Sequence, residues 1–559
     1  MTPTILDSYL GRRLLYMRAL MNKRIAGIVC PNAITSRNQR IKRLATTTNQ
    51  EMAGNKTIKL NEVELKLFNF LRDIVEQSDC NVTLRVAGGW VRDKLLGLDS
   101  SDIDIALDTI TGSGFAQFVN KYEKEHGGKT HSIGVIKVNP EQSKHLETIT
   151  MKFDDIGWVD FVNLRSETYS KDHRIPDVQF GTPQEDAERR DFTINSLFYN
   201  ISNDKIEDFT ERGIGDLKKG IIRTPLDSRV TFLDDPLRVL RAIRFASRFN
   251  FKLDENLRQA AQLDDVKDAL IQKVSRERVG KELLGMLEGP SAHPQRAFTL
   301  MHELGLFKCV FLVPQQSRIL DENAKNVPSD IISQKWDHAY KHSTRMHQYL
   351  NTRNDCVELE IDKMNEAKRH RYKLRILASF LCPLSSFDVM ESNKKIRVPY
   401  YIIKESLKLR NRDAGDIADT ILANCGELRN LVHEKVFDRV KTGLLLRKVG
   451  SLWKVCRDVA CISDMVENCT TSQSPILAKY DSLTTFVATS NLQGVWSWKP
   501  LMTGSDVIQV LGISPGPDVK KILDEIIVWQ LEDPDRTYES CVEHFKRLYS
   551  SATNKIEIE

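Results

Sequence analysis

The sequence predicts an α+β fold: a head built on a small mixed sheet, followed by a long run of helices. Three observations predict it. Segments of β-type composition fall between residues 82 and 165, interleaved with helical patterns. From residue 185 onward, apolar residues recur at helical spacing. No internal repeat or low-complexity tract interrupts that run.

Taken in order, "IKLNEVELKLFNFLRDIVEQSD" (58–79) carries helical apolar spacing. "VTLRVAGG" reads as a strand entering a turn, "WVRDKLLG" opens a helix, and "SDIDIAL" is a second strand. "HSIGVIKVN", "HLETITMKF" and "WVDFVNLR" supply further strands up to about residue 165. "LDDPLRVLRAIRFASRF", "SRERVGKELLGMLEG" and most of 291–559 read as helices, broken by turns near residues 314, 328, 383, 471 and 515.

The chain has 559 residues, enough for three or four domains, and a formal charge of +5. That charge is uneven. Residues 1–50 hold nine Lys/Arg against the single acid Asp7, a net of +8, so the remainder carries −3. Any polyanion site in the body of the protein must therefore be a local patch rather than a global field. The ten cysteines show no C-x-x-C pairing, which argues for reduced thiols and against a zinc site. There is no run of about 18 apolar residues that would span a membrane.

The basic leader has Leu10, Leu14, Met17 and Met21 on one helical stripe with arginines between them. It reads as a mitochondrial targeting segment over 1–51, directing the chain to the matrix. A disordered basic arm touching RNA is the alternative. Initiation at Met52 (or at Met17 or Met21) would leave a chain for the cytosol and nucleus.

The chemistry begins in "VAGGWVRDKLLGLDSSDIDIAL" (86–107). Asp102 and Asp104 stand two apart on a strand, which sets both carboxylates on one face. Two such charges repel unless a proton or a cation lies between them. Hard oxygen donors of this kind suit Mg²⁺, with substrate phosphates completing its shell. Gly88 and Gly89 lead into a helix whose first N–H groups favour a phosphate, and Arg92 follows one turn later. Together they describe a site for a metal-bound nucleoside triphosphate. Asp160, on a later strand, is a candidate third carboxylate of a two-metal site.

In "EDAERRDFTINSLFYN" (185–200), Arg190 can grip triphosphate oxygens, Asp191 can accept from a ribose hydroxyl, and Asn195 lies one turn on. In "FLDDPLRVLRAIRFASRFNF" (232–251), Pro236 marks a helix start. Arg238, Arg241, Arg244 and Arg248 then form a stripe. Asp235 and Arg238 offer one acceptor and one donor side by side. That pair matches the amino donor and ring-nitrogen acceptor shared by cytosine and adenine. Uracil and guanine reverse the pattern, and each buried mispaired group costs about 1–3 kcal/mol. A plain intrahelical salt bridge is the competing reading of the same spacing.

These motifs resemble those of the class II CCA-adding tRNA nucleotidyltransferases of the polymerase-β superfamily, and particularly the fungal enzymes. The resemblance is dense over 85–290: GGWVRD, DID, RRDFTIN, GIGDLKKG (213–220), DDPLRVLRAIRFA and ERVGKE (277–282). It implies a polymerase-β-like head and helical neck, body and tail, with boundaries expected at 58–205, 206–290, 291–430 and 431–559. It implies that Asp102 and Asp104 bind Mg²⁺, and that Gly89, Arg92, Arg190 and Arg241 contact the nucleotide. It also implies that Asp191 reads the ribose and that Asp235 with Arg238 act as an amino-acid template. Many relatives have Glu-Asp where this chain has Asp234-Asp235. The expected substrates are CTP, ATP and a tRNA 3′ end, and the expected state is a monomer.

Four further features are weighed on their residues. Gly213 and Gly215 suit hinge points in the neck. His338 and His342 are four apart but lack a His-Asp doublet. The basic stretch 394–412 with Tyr400 and Tyr401 suits either RNA backbone or a solvated helix face. The "ISPGPD" turn with Lys520 and Lys521 beyond it suits a phosphate or a plain interhelical turn. Two other functions remain compatible with the head motifs: a poly(A) polymerase of the same superfamily, and a non-catalytic RNA-binding protein with an inactive head.

Overall fold

The computed structural model of the chain describes residues 58–556 apart from short stretches at 79, 101, 137–147, 155–156, 169–175, 315–316, 329, 354–361, 363, 392, 435 and 469–473. The basic leader, with Met17, Met21 and Met52, lies outside the described residues, as does the turn near 471. The described chain divides into two units, the first ending at Gly220 and the second beginning at Ile221.

In the first unit, α1 (Glu62–Gln77) starts from a capping box in which Asn61 and Glu64 bond each other's backbone N–H. Glu64 does more than cap. It is buried, accepts from Trp90 Nε1 at 3.1 Å and pairs with Lys94 at 2.7 Å. Both partners lie on α2 (Gly89–Leu95), so α1 clamps the short helix that follows the glycine turn. Trp90 is 1% exposed and packs edge-on against Phe68 of α1, with ring centres 5.6 Å apart.

The sheet is mixed, as expected, and has seven strands: β1 (Leu84–Ala87), β2 (Ile103–Leu107), β3 (Ile133–Ile136), β4 (Thr148–Phe153), β5 (Gly157–Asn163), β8 (Phe198–Asn200) and β9 (Lys205–Glu207). Their spatial order is β3-β4-β5-β2-β1-β8-β9. A separate hairpin is formed by β6 (Arg165–Thr168) and β7 (Asp177–Phe180). Helix α3 (Gly112–Glu125) packs on β4 and β5. β1 runs antiparallel to both β2 and β8, whereas β2 and β5 are parallel. This register sets Asp104 directly beside Asp160.

The sheet extends beyond the expected limit of about 165. β8 is three residues long and wholly buried, so it shows neither alternation nor helical spacing that a sequence pattern could report. The unit also continues past 205 to α5 (Gly213–Lys219), which packs on the turn at 193–195. Thr193 Oγ1 donates to the buried Asp216 there at 2.8 Å.

The two glycines expected as hinge points differ in that packing. Gly213 and Gly215 both lie inside α5, and neither has positive φ. A Cβ on Gly213 would stand 2.6 Å from Thr193 O and 2.8 Å from Leu197 Cδ2, whereas one on Gly215 would meet nothing within 4 Å. Gly213 is a close-contact glycine. The residue with left-handed backbone is Gly220 (φ 67), the C-cap of α5, where the first unit ends.

The second unit is mainly helical. It opens with α6 (Ser228–Asp234), α7 (Leu237–Phe249), α8 (Glu255–Gln262), α9 (Asp264–Lys273) and α10 (Arg276–Glu288), and α7 packs along α10. Breaks occur near 314, 328, 383 and 515 as expected. A four-stranded sheet within this unit was not legible. It pairs Asn326–Val327, Ile319–Leu320, Asp388–Glu391 and Lys394–Arg397 in that order. Lys394–Arg397 is thus an edge strand, where a basic helix face was one expectation; helical winding begins only at Val398. Lysines on an edge strand suit a solvated edge that resists further pairing.

The glycine geometry gives a test by denaturation. Gly213→Ala is expected to destabilise the protein by about 1–3 kcal/mol through overpacking. Gly215→Ala is expected to be neutral or stabilising by roughly 0.5–1 kcal/mol, because it removes backbone freedom at an open helical position.

Candidate active site

The site grows from the turn between β1 and α2. Gly88 has φ 74 and ψ −117, and its N–H bonds Leu197 O at 2.9 Å, tying the turn to the segment before β8. A Cβ at Gly88 would lie 2.6 Å from Arg190 Nη1. The glycine is needed twice over, for its left-handed backbone and for the guanidinium packed against it. Gly89 begins α2, and the nearest atom to a Cβ there would be Arg92 Nη2 at 3.6 Å.

Asp102 is exposed just before β2, and Asp104 is half-buried within it. Asp160 faces Asp104 across the parallel β2–β5 pair. Burial, then the charges of Asp102 and Asp160, push the Asp104 carboxyl up to about 6, with Arg190 opposing the shift. The three acids therefore sense one another, and negative charge accumulates at Asp104 without full compensation. Among the described residues, no three His, Cys, Asp or Glu side chains converge as a protein-only metal site. An accumulated carboxylate charge with few protein donors fits an ion of the Mg²⁺ type, which binds one or two carboxylates and takes its other ligands from substrate and water.

Arg190 is aimed by an acid that the sequence reading missed. Thr182, Pro183 and Glu185 start α4 (Pro183–Glu188) with a capping box, which places Asp186 in its last turn. Asp186 is 1% exposed. Its Oδ2 takes Arg190 Nε and Nη2 at 3.0 and 2.8 Å. Its Oδ1 takes Arg189 Nε at 2.9 Å and the backbone N–H of Arg165 at 3.2 Å. The neighbouring guanidiniums hold the carboxyl down at about 2 against its burial. A depressed folded-state value stabilises the fold above about pH 4, and that stability is lost as pH falls toward 2. The signal was present in "EDAERRD", as an acid three and four residues before two arginines on a capped helix.

Arg92 lies deeper than Arg190. It is 4% exposed, and its Nε bonds Asp93 at 2.8 Å while Nη1 bonds Asn195 Oδ1 at 2.5 Å. Asn195 Nδ2 in turn donates to Asp191 Oδ1 at 2.9 Å, which also receives the Phe192 N–H. Arg92 thus works as a buried brace joining two distant motifs through Asn195 to Asp191. The fold has brought Arg92, Asn195 and Asp191 together as one hydrogen-bonded chain.

Beside Asp104 lies a cavity of about 240 Å³ whose lining includes Thr148, Arg165, Asp186, Arg189 and Arg190. It is open to solvent and predominantly polar in its side chains.

Asp235 and Arg238, the pair expected to select the base, belong to the second unit. Asp235 is not on the same helix as Arg238. It lies in extended backbone (φ −132, ψ 96) between α6 and α7, and Arg238 N–H closes onto its carbonyl at 3.0 Å. The Asp235 carboxylate accepts from Leu237 N–H at 3.3 Å and from Arg278 Nη2 at 2.8 Å. Arg238 is 9% exposed and reaches Thr231 O at 3.5 Å. Arg241 and Arg244 approach Glu282 at 3.8 and 2.6 Å. Arg278 and Glu282 stand four apart on α10, so one face of that helix holds Asp235 together with Arg241 and Arg244 of the stripe. His342, by contrast, is buried in the helix Trp336–Thr352, and burial lowers its pKa to about 4.

Residues 84–223 match the family model described as "Poly A polymerase head domain", and residues 250–320 match "Probable RNA and SrmB- binding site of polymerase A". The chain is 36% identical over 518 residues to the "CCA tRNA nucleotidyltransferase, mitochondrial" of Candida glabrata, covering 88% of this chain and 96% of that one. It is 36% identical over 533 residues to the protein of the same description from Saccharomyces cerevisiae, covering 90% and 96%. Among solved structures it is similar to a CCA-adding enzyme in an apo form, with a TM-score of 0.58 at 19% identity, covering 90% of this chain and 98% of that chain. The structural likeness supports the α+β fold with its polymerase-β-like head. The sequence likeness, sustained along nearly the whole of both fungal relatives, goes further: the chain belongs to the CCA tRNA nucleotidyltransferase family.

Proposed function

We propose that this chain adds C-C-A to the 3′ end of tRNA, using CTP and ATP and releasing pyrophosphate, with no nucleic-acid template. The observation that carries the reading is Asp104 itself, a carboxyl whose proton affinity is raised by burial and by the charges of Asp102 and Asp160, opposite Arg190. Asp102 and Asp104 would hold Mg²⁺, with Asp160 completing the carboxylate set, and the bound ion would supply charge that activates the attacking hydroxyl and neutralises the triphosphate. The RNA 3′-oxygen forms a bond to the α-phosphorus as the bond to the pyrophosphate oxygen breaks. Arg190 takes phosphate oxygens beside the Gly88–Gly89 turn, where the lack of side chains lets the substrate approach the backbone. Asp191, oriented by Asn195 and Arg92, accepts from the ribose.

Asp235 and Arg238 read the base edge. A carboxylate that Arg278 already holds keeps one acceptor orientation, and a buried guanidinium keeps one donor orientation. Together they accept the amino group and donate to the ring nitrogen of C or A, while Arg241 meets the same nucleotide. The N-terminal leader supports import into the mitochondrial matrix, and the Met52, Met17 and Met21 starts support cytosolic and nuclear forms of a monomeric enzyme.

The deciding assay supplies tRNA lacking its 3′ end with each NTP singly and in pairs, then sequences the products. Products ending in C-C-A support the proposal; long A tails indicate a poly(A) polymerase, and no extension indicates a non-catalytic head. Asp102→Asn and Asp104→Asn are each expected to lose roughly a thousandfold or more in rate while melting at or above the wild-type temperature in EDTA. Asp235→Ala or Arg238→Ala is expected to lower the CTP/UTP preference by about 10- to 100-fold before extension is abolished.

A pH prediction follows from Asp104. Its carboxyl takes a proton near pH 6 in the metal-free protein. Proton and cation compete for the same oxygen. The apparent affinity for Mg²⁺ should therefore fall by about tenfold per pH unit below that value and be level above it. Titrating Mg²⁺ against extension rate from pH 5 to 8 reads this directly.

A further inference from the structure

The cavity beside Asp104 holds more cationic charge than the residues named above use. Arg165 opens β6, five residues after Asp160, and lines that cavity together with Thr148 and Arg190. Three guanidiniums, Arg165, Arg189 and Arg190, gather around two carboxylates, Asp186 and Glu167. Those two acids are 2% and 7% exposed at the side chain. Asp104, on the wall of the same cavity, is the carboxylate that Arg190 also opposes.

The acids are not shared evenly among the three guanidiniums. Arg189 and Arg190 are both held by Asp186, and Arg189 also meets Glu167 at 2.9 Å. Arg165 meets Glu167 only through Nε, at 3.3 Å. Its two terminal nitrogens have no hydrogen-bond partner among the described residues, and its side chain is 35% exposed. Burial and the adjacent Arg189 charge both lower its pKa, so the cationic form is held at a cost that an anion would relieve. The planar end of a guanidinium is a bidentate match for phosphate oxygens.

Resting on the reading of Asp104 as the reaction centre, we propose that Arg165 is a phosphate-binding residue of this cavity. It takes either a backbone phosphate near the RNA 3′ end or the β,γ-phosphates of the incoming nucleotide. Arg190, packed against Gly88, and Arg165, at the start of β6, would bracket Asp104 with cations on two sides. Thr148 supplies a hydroxyl to the same space.

The test uses the full-length chain, trimmed tRNA, CTP and ATP, and inorganic pyrophosphate as a competing probe. Arg165→Met should raise one KM on the order of tenfold, and Arg165→Lys should recover part of that loss. A rise in KM for tRNA alone assigns the phosphate to the RNA backbone. A rise in KM for nucleotide, with weaker inhibition by pyrophosphate, assigns it to the triphosphate. Thr148→Val, which leaves the ion cluster intact, should move the same constant in the same direction by a smaller factor. It serves as the readout if Arg165→Met fails to fold. Unchanged KM values and pyrophosphate inhibition in these variants overturn the assignment, as does a loss confined to kcat. Failure of the wild-type chain to extend tRNA would instead sink the proposed function, so the two failures are distinct.

Discussion

Like charge crowded onto a partly buried strand pair is the constraint on which the rest of the first unit depends. β2 and β5 run parallel and in register, so Asp104 and Asp160 share one face, with Asp102 at the strand's mouth. No folded protein gains stability from such an arrangement, because each carboxylate raises the free energy of the others. Its presence is evidence of use, since local strain of this kind persists where chemistry needs it. Everything nearby is arranged to tolerate it. Arg190 offsets part of the charge, Gly88 leaves room for that guanidinium, and Asp186 fixes the arginine's direction.

The two units solve one problem in the same manner. An arginine on a long stem is a poor reagent unless its orientation is held, because its rotamer freedom opposes any single geometry. In the first unit a buried aspartate holds two guanidiniums, one on each oxygen. In the second, Arg278 holds Asp235 and Glu282 holds Arg244, both from one face of α10. The motif ERVGKE thus serves as the support of DDPLRVLRAIR. Gly285 lets α7 come close, since a Cβ there would meet Arg244 Cδ at 2.7 Å. In both places a charge is held in one orientation by an opposite charge.

Most of the head was legible, and the misses share a cause. The strands at β1, β2, β4 and β5 announce themselves by β-branched and alternating residues, and α7 by its arginine stripe. β8 is too short and too uniformly buried to carry a period. The small sheet of the second unit pairs strands about 70 residues apart in the chain, and local patterns carry no information about such pairing. Arg92 was legible as a motif residue but not as a buried brace, because burial is decided by what folds over it, here Asn195 from 103 residues away. Gly213 carries the composition of a hinge and the geometry of a tight contact, and only its neighbours distinguish the two.

By itself the sequence determined the kinds of groups and their local order: two acids on one strand face, a glycine turn, paired arginines, and an acid with an arginine one turn apart. Those follow from backbone periodicity, which depends on residue spacing alone. The tertiary structure decided which of them meet. Asp160 becomes a neighbour of Asp104 through strand register, and Asp186 becomes the anchor of Arg190 through a capped helix packed beside the sheet. Arg165 is left holding charge in an open cavity because its neighbours have first claim on the nearby acids. Proximity across a hundred residues is a product of packing, and electrostatics act only on what packing has placed within a few ångströms.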